Sequence, residues 1–223
     1  MEFMLDSANI EQIKDLNELI TIDGVTTNPT ILTKSGMQPE EALRKIAAIL
    51  NKDQKLFAQV VKTDYEGIME EARKLSAIRP ENMYVKIPVT RDGLKAIKTC
   101  KEEGIHTLAT AIYSASEGFL AAKNGADYLA PYTNRMCNYG DGVAEVIRLI
   151  NMLKVNNMDS KVIAASFKNV DQVAALIENG IPAVTVPCDV VYQMIGLPAT
   201  GVAVDEFSAN WNKTYGRDSF FEE

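Results

Sequence analysis

Eight short apolar runs, separated by stretches of helical period, decide what this chain can fold into. They occupy residues 3–6, 24–28, 56–61, 84–88, 107–112, 128–133, 162–166 and 183–187. Most are continuously apolar, as in Val162-Ile163-Ala164-Ala165, a pattern that suits parallel strands covered on both faces. The stretches between them carry helix ends. Ile10, Ile13, Leu16, Leu19 and Ile20 fall at helical spacing, and Pro39 stands at a first helical position ahead of Ala42, Leu43, Ile46 and Leu50. Ser114-Ala115-Ser116-Glu117 reads as a capping box and Asn169-Val170-Asp171-Gln172 as a second. Gly104, Gly125 and Gly180 stand where helices end.

Such β-then-α units, recurring at intervals of roughly 20–35 residues, predict an α/β chain folded as a (β/α)8 TIM barrel, slightly below the typical length of about 250 residues. One domain over residues 1–223 accounts for the whole chain. The rival is an open doubly wound sheet, weakened because no G-x-G-x-x-G follows the first run. A last amphipathic stretch, about 199–215, sets Val204, Phe207 and Trp211 at spacings of three and four. It predicts an additional C-terminal helix that packs on its own barrel or on a neighbouring subunit.

Lys86 interrupts the fourth run, in Met83-Tyr84-Val85-Lys86-Ile87-Pro88. An ammonium is costly in a core unless paired or hydrated. Desolvation lowers a lysine's pKa, and the neutral amine can attack a ketone to form a Schiff base. The chemistry of such barrels sits at the C-terminal ends of the strands. The polar residues nearest those ends are Asp6, Thr26 with Asn28, Gln59, Lys86, Thr110, Tyr132 with Arg135, and Ser166 with Lys168. Each has a plainer reading. Asp6 could cap the following helix or pair with Lys86. Thr26 to Pro29 could be only a turn. Gln59 and Thr110 could bond to backbone, Tyr132 could snorkel, and Arg135 could pair with Asp127 or Asp141. Ser166 to Asn169 could be a strand end and a cap. Seven strands ending alike favour one shared site. His106, the only histidine, starts a strand, so it falls at the opposite end and reads as structural.

Charge and composition bound the partners. A net charge of −7 argues against a general nucleic-acid binder. No apolar stretch reaches the ~18–20 residues that span a bilayer. Met1-Glu2-Phe3-Met4-Leu5-Asp6 has no basic segment or cleavage pattern, so no secretory signal is expected. Cys100, Cys137 and Cys188 are odd in number and widely spaced, as in reduced thiols of a cytoplasmic protein. A single histidine excludes a multi-histidine metal site.

Taken together these segments resemble the small transaldolase family, and more closely its fructose-6-phosphate aldolase branch. The matching stretches are Leu5-Asp6, Gly24-Val25-Thr26-Thr27-Asn28-Pro29-Thr30, Leu56-Phe57-Ala58-Gln59-Val60, Val85-Lys86-Ile87-Pro88-Val89-Thr90, Thr107-Leu108-Ala109-Thr110-Ala111, Ala130-Pro131-Tyr132-Thr133-Asn134-Arg135 and Ala164-Ala165-Ser166-Phe167-Lys168. The resemblance runs through essentially the whole chain, to Tyr215-Gly216-Arg217. It implies a barrel whose Lys86 forms an imine with a sugar phosphate, without metal or organic cofactor. It also implies a ring-built homo-oligomer, decameric in the family pattern, with the terminal helix reaching over a neighbour. Gln59 with Tyr132 is similar to the aldolase pattern; transaldolases of the family carry glutamate and phenylalanine at those positions. On this reading Asp6, Gln59, Thr110 and Tyr132 serve Lys86 in catalysis, and Thr26, Asn28, Arg135, Ser166 and Lys168 bind substrate. The implied reaction is reversible cleavage of fructose 6-phosphate to dihydroxyacetone and glyceraldehyde 3-phosphate. Three alternatives stay open: transfer of the dihydroxyacetone unit between sugar phosphates, a different Schiff-base aldolase on the same barrel, and a non-catalytic sugar-phosphate binding protein.

Overall fold

A computed structural model describes residues 1–221. The elements run β1 (Glu2–Asp6), α1 (Ile10–Leu19), β2 (Gly24–Thr26), α2 (Pro29–Lys34), α3 (Pro39–Ile49), β3 (Lys55–Gln59), α4 (Tyr65–Ser76), β4 (Met83–Pro88), α5 (Arg91–Glu102), β5 (Thr107–Ile112), α6 (Ala115–Lys123), β6 (Tyr128–Pro131), α7 (Thr133–Cys137), α8 (Gly142–Val155), β7 (Lys161–Ala164), α9 (Val170–Glu178), β8 (Ala183–Val186), α10 (Cys188–Ile195) and α11 (Pro198–Tyr215). Each strand pairs in parallel with the next, and β8 closes on β1. This is the TIM barrel anticipated from the alternating runs, and the open sheet is excluded.

Side chains of a strand alternate faces, and the two apolar clusters of the molecule sort by that parity. Met4, Phe57, Leu108, Tyr128, Ala130, Ile163, Ala165 and Ala183 fill the lumen, with Tyr84 and Tyr132 packed against them. Leu5, Val25, Leu56, Val85, Ala109, Leu129, Val162 and Val184 belong to the outer cluster shared with the helices. Stepping two residues from a lumen position toward the strand's C-terminal end reaches Asp6 from Met4, Gln59 from Phe57 and Lys86 from Tyr84. The same step reaches Thr110 from Leu108 and Tyr132 from Ala130. Sheet closure therefore delivers these polar side chains to one mouth. Gly24 is needed for that closure, since a Cβ there would sit 2.1 Å from the Lys55 carbonyl oxygen.

The other end of the lumen is sealed. Glu2 accepts a hydrogen bond from the Tyr128 hydroxyl at 2.6 Å and pairs with Lys161 at 2.7 Å and Lys55 at 3.4 Å. Phe57 stacks on Tyr84, Tyr128 meets both edge-on, and His106 stacks on the Tyr84 ring with its Nδ1 3.5 Å from Asp127. His106 is thus part of the floor, as its place at the start of a strand indicates.

Helix ends follow the caps expected. Ser114 and Glu117 form the full reciprocal box opening α6. Asn169 accepts from the Gln172 N–H at 2.9 Å, but the Gln172 side chain takes the Lys168 N–H instead of that of Asn169, so the second box is incomplete. The run expected to extend as strand to residue 133 ends at Pro131, because Thr133 already begins α7. The segment Thr26 to Pro29 is not only a turn: Thr26 ends β2, and Asn28 caps α2 by accepting from the Ile31 N–H at 2.9 Å, with Pro29 in its first turn.

The terminal helix does not pack on its own barrel. No residue of α11 is buried, and Val202, Val204, Phe207 and Tyr215 are exposed. Among the described residues the ring contacts of Trp211 are with Tyr215 and Phe220, and its Nε1 lacks a hydrogen-bond partner there. Among the described residues no helix is long and apolar enough to cross a membrane.

Candidate active site

Lys86 stands between Gln59 of β3 and Leu108 of β5 in the sheet register. It is 4% exposed, and among the described residues its Nζ makes no hydrogen bond and no ion pair. The direct Lys86–Asp6 ion pair left open above is therefore absent among those residues. Burial pushes the Lys86 pKa below that of an ordinary lysine, and the nearby Asp6 carboxylate opposes part of that push. The result is a side chain biased toward the neutral amine at the mouth of the lumen.

Asp6 ends β1 and is partly buried. Burial raises its pKa, while the charge of Lys86 and a hydrogen bond from Thr26 oppose the rise. Thr26 Oγ1 donates to Asp6 Oδ1 at 2.7 Å and lies 2.6 Å from Thr185 Oγ1. The helix-cap reading of Asp6 fails because Asn9 caps α1, accepting from the Gln12 N–H at 3.1 Å.

Across the mouth, the Tyr132 hydroxyl lies 3.1 Å from Thr110 Oγ1. Burial raises the phenol's pKa; the Thr110 hydrogen bond and the charge of Arg135 oppose it. A β-bulge makes this meeting possible. The register between β5 and β6 runs from Ala109 opposite Leu129 to Ile112 opposite Pro131, one residue longer on β5, and Ala111 takes φ +57°. An L-residue held there costs on the order of 1 kcal/mol. The extra residue keeps Ile112 in the outer layer while Thr110 stays in the lumen.

Arg135 lies in α7, exposed, with its guanidinium 4.9 Å from the Tyr132 ring centre and its Nη1 donating to the Tyr113 hydroxyl at 3.1 Å. It pairs with neither Asp127 nor Asp141. Ser166 is partly buried at φ +64°, and its carbonyl accepts from the Asn134 N–H at 3.2 Å, which joins the turn after β7 to α7. Lys168 is exposed on the same turn. Gln59 is partly buried beside Lys86, and Asn28, whose Oδ1 accepts the α2 cap bond, keeps its amide protons for a ligand.

Lys86, Asp6, Thr26, Thr110, Tyr132 and Gln59 are thus brought to one mouth, with Arg135, Ser166 and Lys168 on adjoining turns. Two groups escaped the sequence reading. Thr185 is the one polar residue in β8 and shares the lumen parity of Ala183, a signal legible once that face was known. Tyr113, which positions Arg135, follows the end of β5 and carries no local sign of its partner.

The sequence matches the transaldolase/fructose-6-phosphate aldolase family over residues 3–219. Among solved structures, the chain is similar to one described as "native KDPGal", with TM-score 0.57, 17% identity, and coverage of 82% of this chain and 80% of that one. It is equally similar to a chain of "a cube-shaped, highly porous protein cage designed by fusing symmetric oligomeric domains", with TM-score 0.57 and 17% identity, covering 84% of this chain and 62% of that one. The chain therefore spans less than two thirds of the cage subunit. At such identities these likenesses bear on the fold.

Proposed function

This chain belongs to the transaldolase/fructose-6-phosphate aldolase family, and on that premise we propose that it is a Schiff-base aldolase that reversibly cleaves fructose 6-phosphate to dihydroxyacetone and glyceraldehyde 3-phosphate. The observation that carries the reading is a buried Lys86 amine at the lumen mouth, near the Asp6 carboxylate and without a hydrogen bond or ion pair among the described residues. The neutral amine adds to the C2 carbonyl, and loss of water leaves an iminium ion. That cation accepts the electron pair of the C3–C4 bond as the C4 hydroxyl loses its proton. Tyr132, held by Thr110 and acting with Gln59 through a water, takes that proton. The three-carbon enamine is then protonated at C3 and hydrolysed from Lys86. Asp6 offsets the positive charge of the iminium. The Asn28 amide binds the dihydroxyacetone-end hydroxyls, and Arg135, Ser166 and Lys168 hold the phosphate; Thr26, expected from the sequence to touch substrate, is fully buried and bonded to Asp6, so it orients that carboxylate instead.

The pair Gln59 and Tyr132 favours cleavage over transfer, because a phenol can carry the C4 proton where a phenylalanine cannot. The test is to supply fructose 6-phosphate alone and then with erythrose 4-phosphate. We expect glyceraldehyde 3-phosphate and free dihydroxyacetone without an acceptor. Turnover that begins only when erythrose 4-phosphate is added would make the chain a transaldolase.

The uncovered face of α11 supports a homo-oligomeric assembly. Each chain also carries an apolar groove of about 750 Å³ between α2, α3 and α4, lined by Leu32, Met37, Leu43, Leu75 and Ile78. A helix that one copy offers and a groove that the next presents form a head-to-tail contact, the kind that builds a ring when its rotation closes. Sedimentation is expected to give a species several times the 24.6 kDa chain mass, falling toward one chain in Phe207→Glu. A monomeric native protein overturns the assembly.

A further inference from the structure

Thr26 has one hydroxyl proton and two oxygen neighbours at short range, Asp6 Oδ1 at 2.7 Å and Thr185 Oγ1 at 2.6 Å. An ionised carboxylate only accepts, so the Thr26 proton lies toward Asp6. The contact with Thr185 is then a hydrogen bond that Thr185 donates. Three groups from β1, β2 and β8 form a chain with one direction, Thr185 to Thr26 to Asp6. Thr26 is fully buried and Thr185 is 2% exposed, so water does not compete for either hydroxyl. A proton on Asp6 Oδ1 would reverse the chain, with Asp6 donating to Thr26 and Thr26 to Thr185, and no further acceptor for the Thr185 proton occurs among the described residues. A proton on Oδ2 would keep the direction but turn Oδ1 into an uncharged, weaker acceptor for the Thr26 hydroxyl.

We propose that Thr185 is a positioning residue that holds the Thr26 proton on Asp6 and so keeps that carboxylate ionised beside Lys86. Hydrogen bonds in series polarise one another in a low-dielectric site, and a bond to the charged form of an acid favours that form. The charged and titratable groups facing Asp6 are Lys86 of β4, Tyr132 at the end of β6 and Cys188 of α10. Glu11 and Lys34 line the outer cavity that Asp6 also borders. None of them bonds to Thr185 or Thr26, so the chain is a separate control on Asp6. The kinetic consequence rests on the imine reading of Lys86, because an ionised Asp6 stabilises the cationic iminium; the state of Asp6 itself does not depend on that reading.

The test is a carbon-13 NMR titration of aspartate carboxyls in the full-length protein, with Asp6→Asn assigning the resonance. Thr185→Val should raise the Asp6 midpoint by roughly half to one pH unit, the scale of one lost hydrogen bond. Thr185→Ser, which keeps the donor, should stay near the native midpoint. In the aldol assay the acid limb of kcat/KM should move with the midpoint. Thr185→Ala serves as a second deletion of the hydroxyl should the valine variant not fold. An Asp6 midpoint unmoved by losing the hydroxyl, or moved equally by serine, overturns the proposal. A native protein that forms no borohydride-trapped adduct instead overturns the imine reading, and the Asp6 midpoint still decides the role of Thr185.

Discussion

Borohydride reduction in the presence of dihydroxyacetone is expected to leave a reduced three-carbon fragment on Lys86, located by peptide mass mapping, and on no exposed lysine. The distinction is one of protonation. An exposed lysine at neutral pH is almost wholly ammonium and cannot attack a carbonyl, whereas burial lowers the pKa of Lys86. For a base whose pKa is lowered, the neutral fraction grows as pH rises through the lowered value. Adduct formation should therefore climb with pH and level off below the ordinary lysine value of 10.5. Lys86→Met removes the nucleophile while retaining an unbranched chain in the lumen. The loss in kcat should be on the order of 10⁴-fold or more, as for other groups that form the covalent intermediate. Active protein that acquires no fragment would remove the imine route. Protein that binds fructose 6-phosphate but neither cleaves nor traps it would be the binding protein kept as an alternative above.

Tyr132→Phe should lower the rate of aldol cleavage by about 10²-fold or more, the usual worth of a positioned proton carrier. Burial raises the phenol's pKa, so at neutral pH it holds its proton and serves the C4 oxygen in the direction of bond formation. In cleavage the base on the proposed route is its phenolate, the minor form at neutral pH, which would accept the C4 proton through a water bridged with Gln59 and then return it to C3 of the enamine. Its contact with Thr110 at 3.1 Å sets the direction of the hydroxyl. Because Tyr132 acts at C4, the dihydroxyacetone adduct on Lys86 should still form in Tyr132→Phe. Rate lost with the adduct retained is the signature of a proton carrier. An almost unchanged rate passes the role to another group, and a lost adduct means that Tyr132 shapes the pocket around Lys86.

Much of this site was readable before the fold was known. Lys86 stands out because a cation in an apolar run needs a reason. Asp6, Gln59, Thr110 and Tyr132 stand out because each falls within two residues of the end of such a run, and strands expose alternate residues to one face. The readings that failed concern direction and partners. Arg135 was open to pairing with an acidic side chain, yet it meets two tyrosines, one of them contributed by the turn after β5. Asn169 and Gln172 had the spacing of a reciprocal cap, but Gln172 turned to Lys168 and also donates to Asn134 at 3.1 Å. Spacing lists the groups within reach and does not rank them.

The amino-acid order alone determined the eight strands, the ends of most helices it marked, and which polar residues share the lumen face, because these depend on neighbours a few positions away and on a period of two. Barrel closure decided the rest. It brought Thr185 within 2.6 Å of Thr26 across 159 positions, left Lys86 without a hydrogen bond or ion pair among the described residues, and let a one-residue bulge bring Thr110 to Tyr132. It also left α11 uncovered. Those outcomes turn on which strands become neighbours and on where each turn points its side chains, quantities that no local period carries.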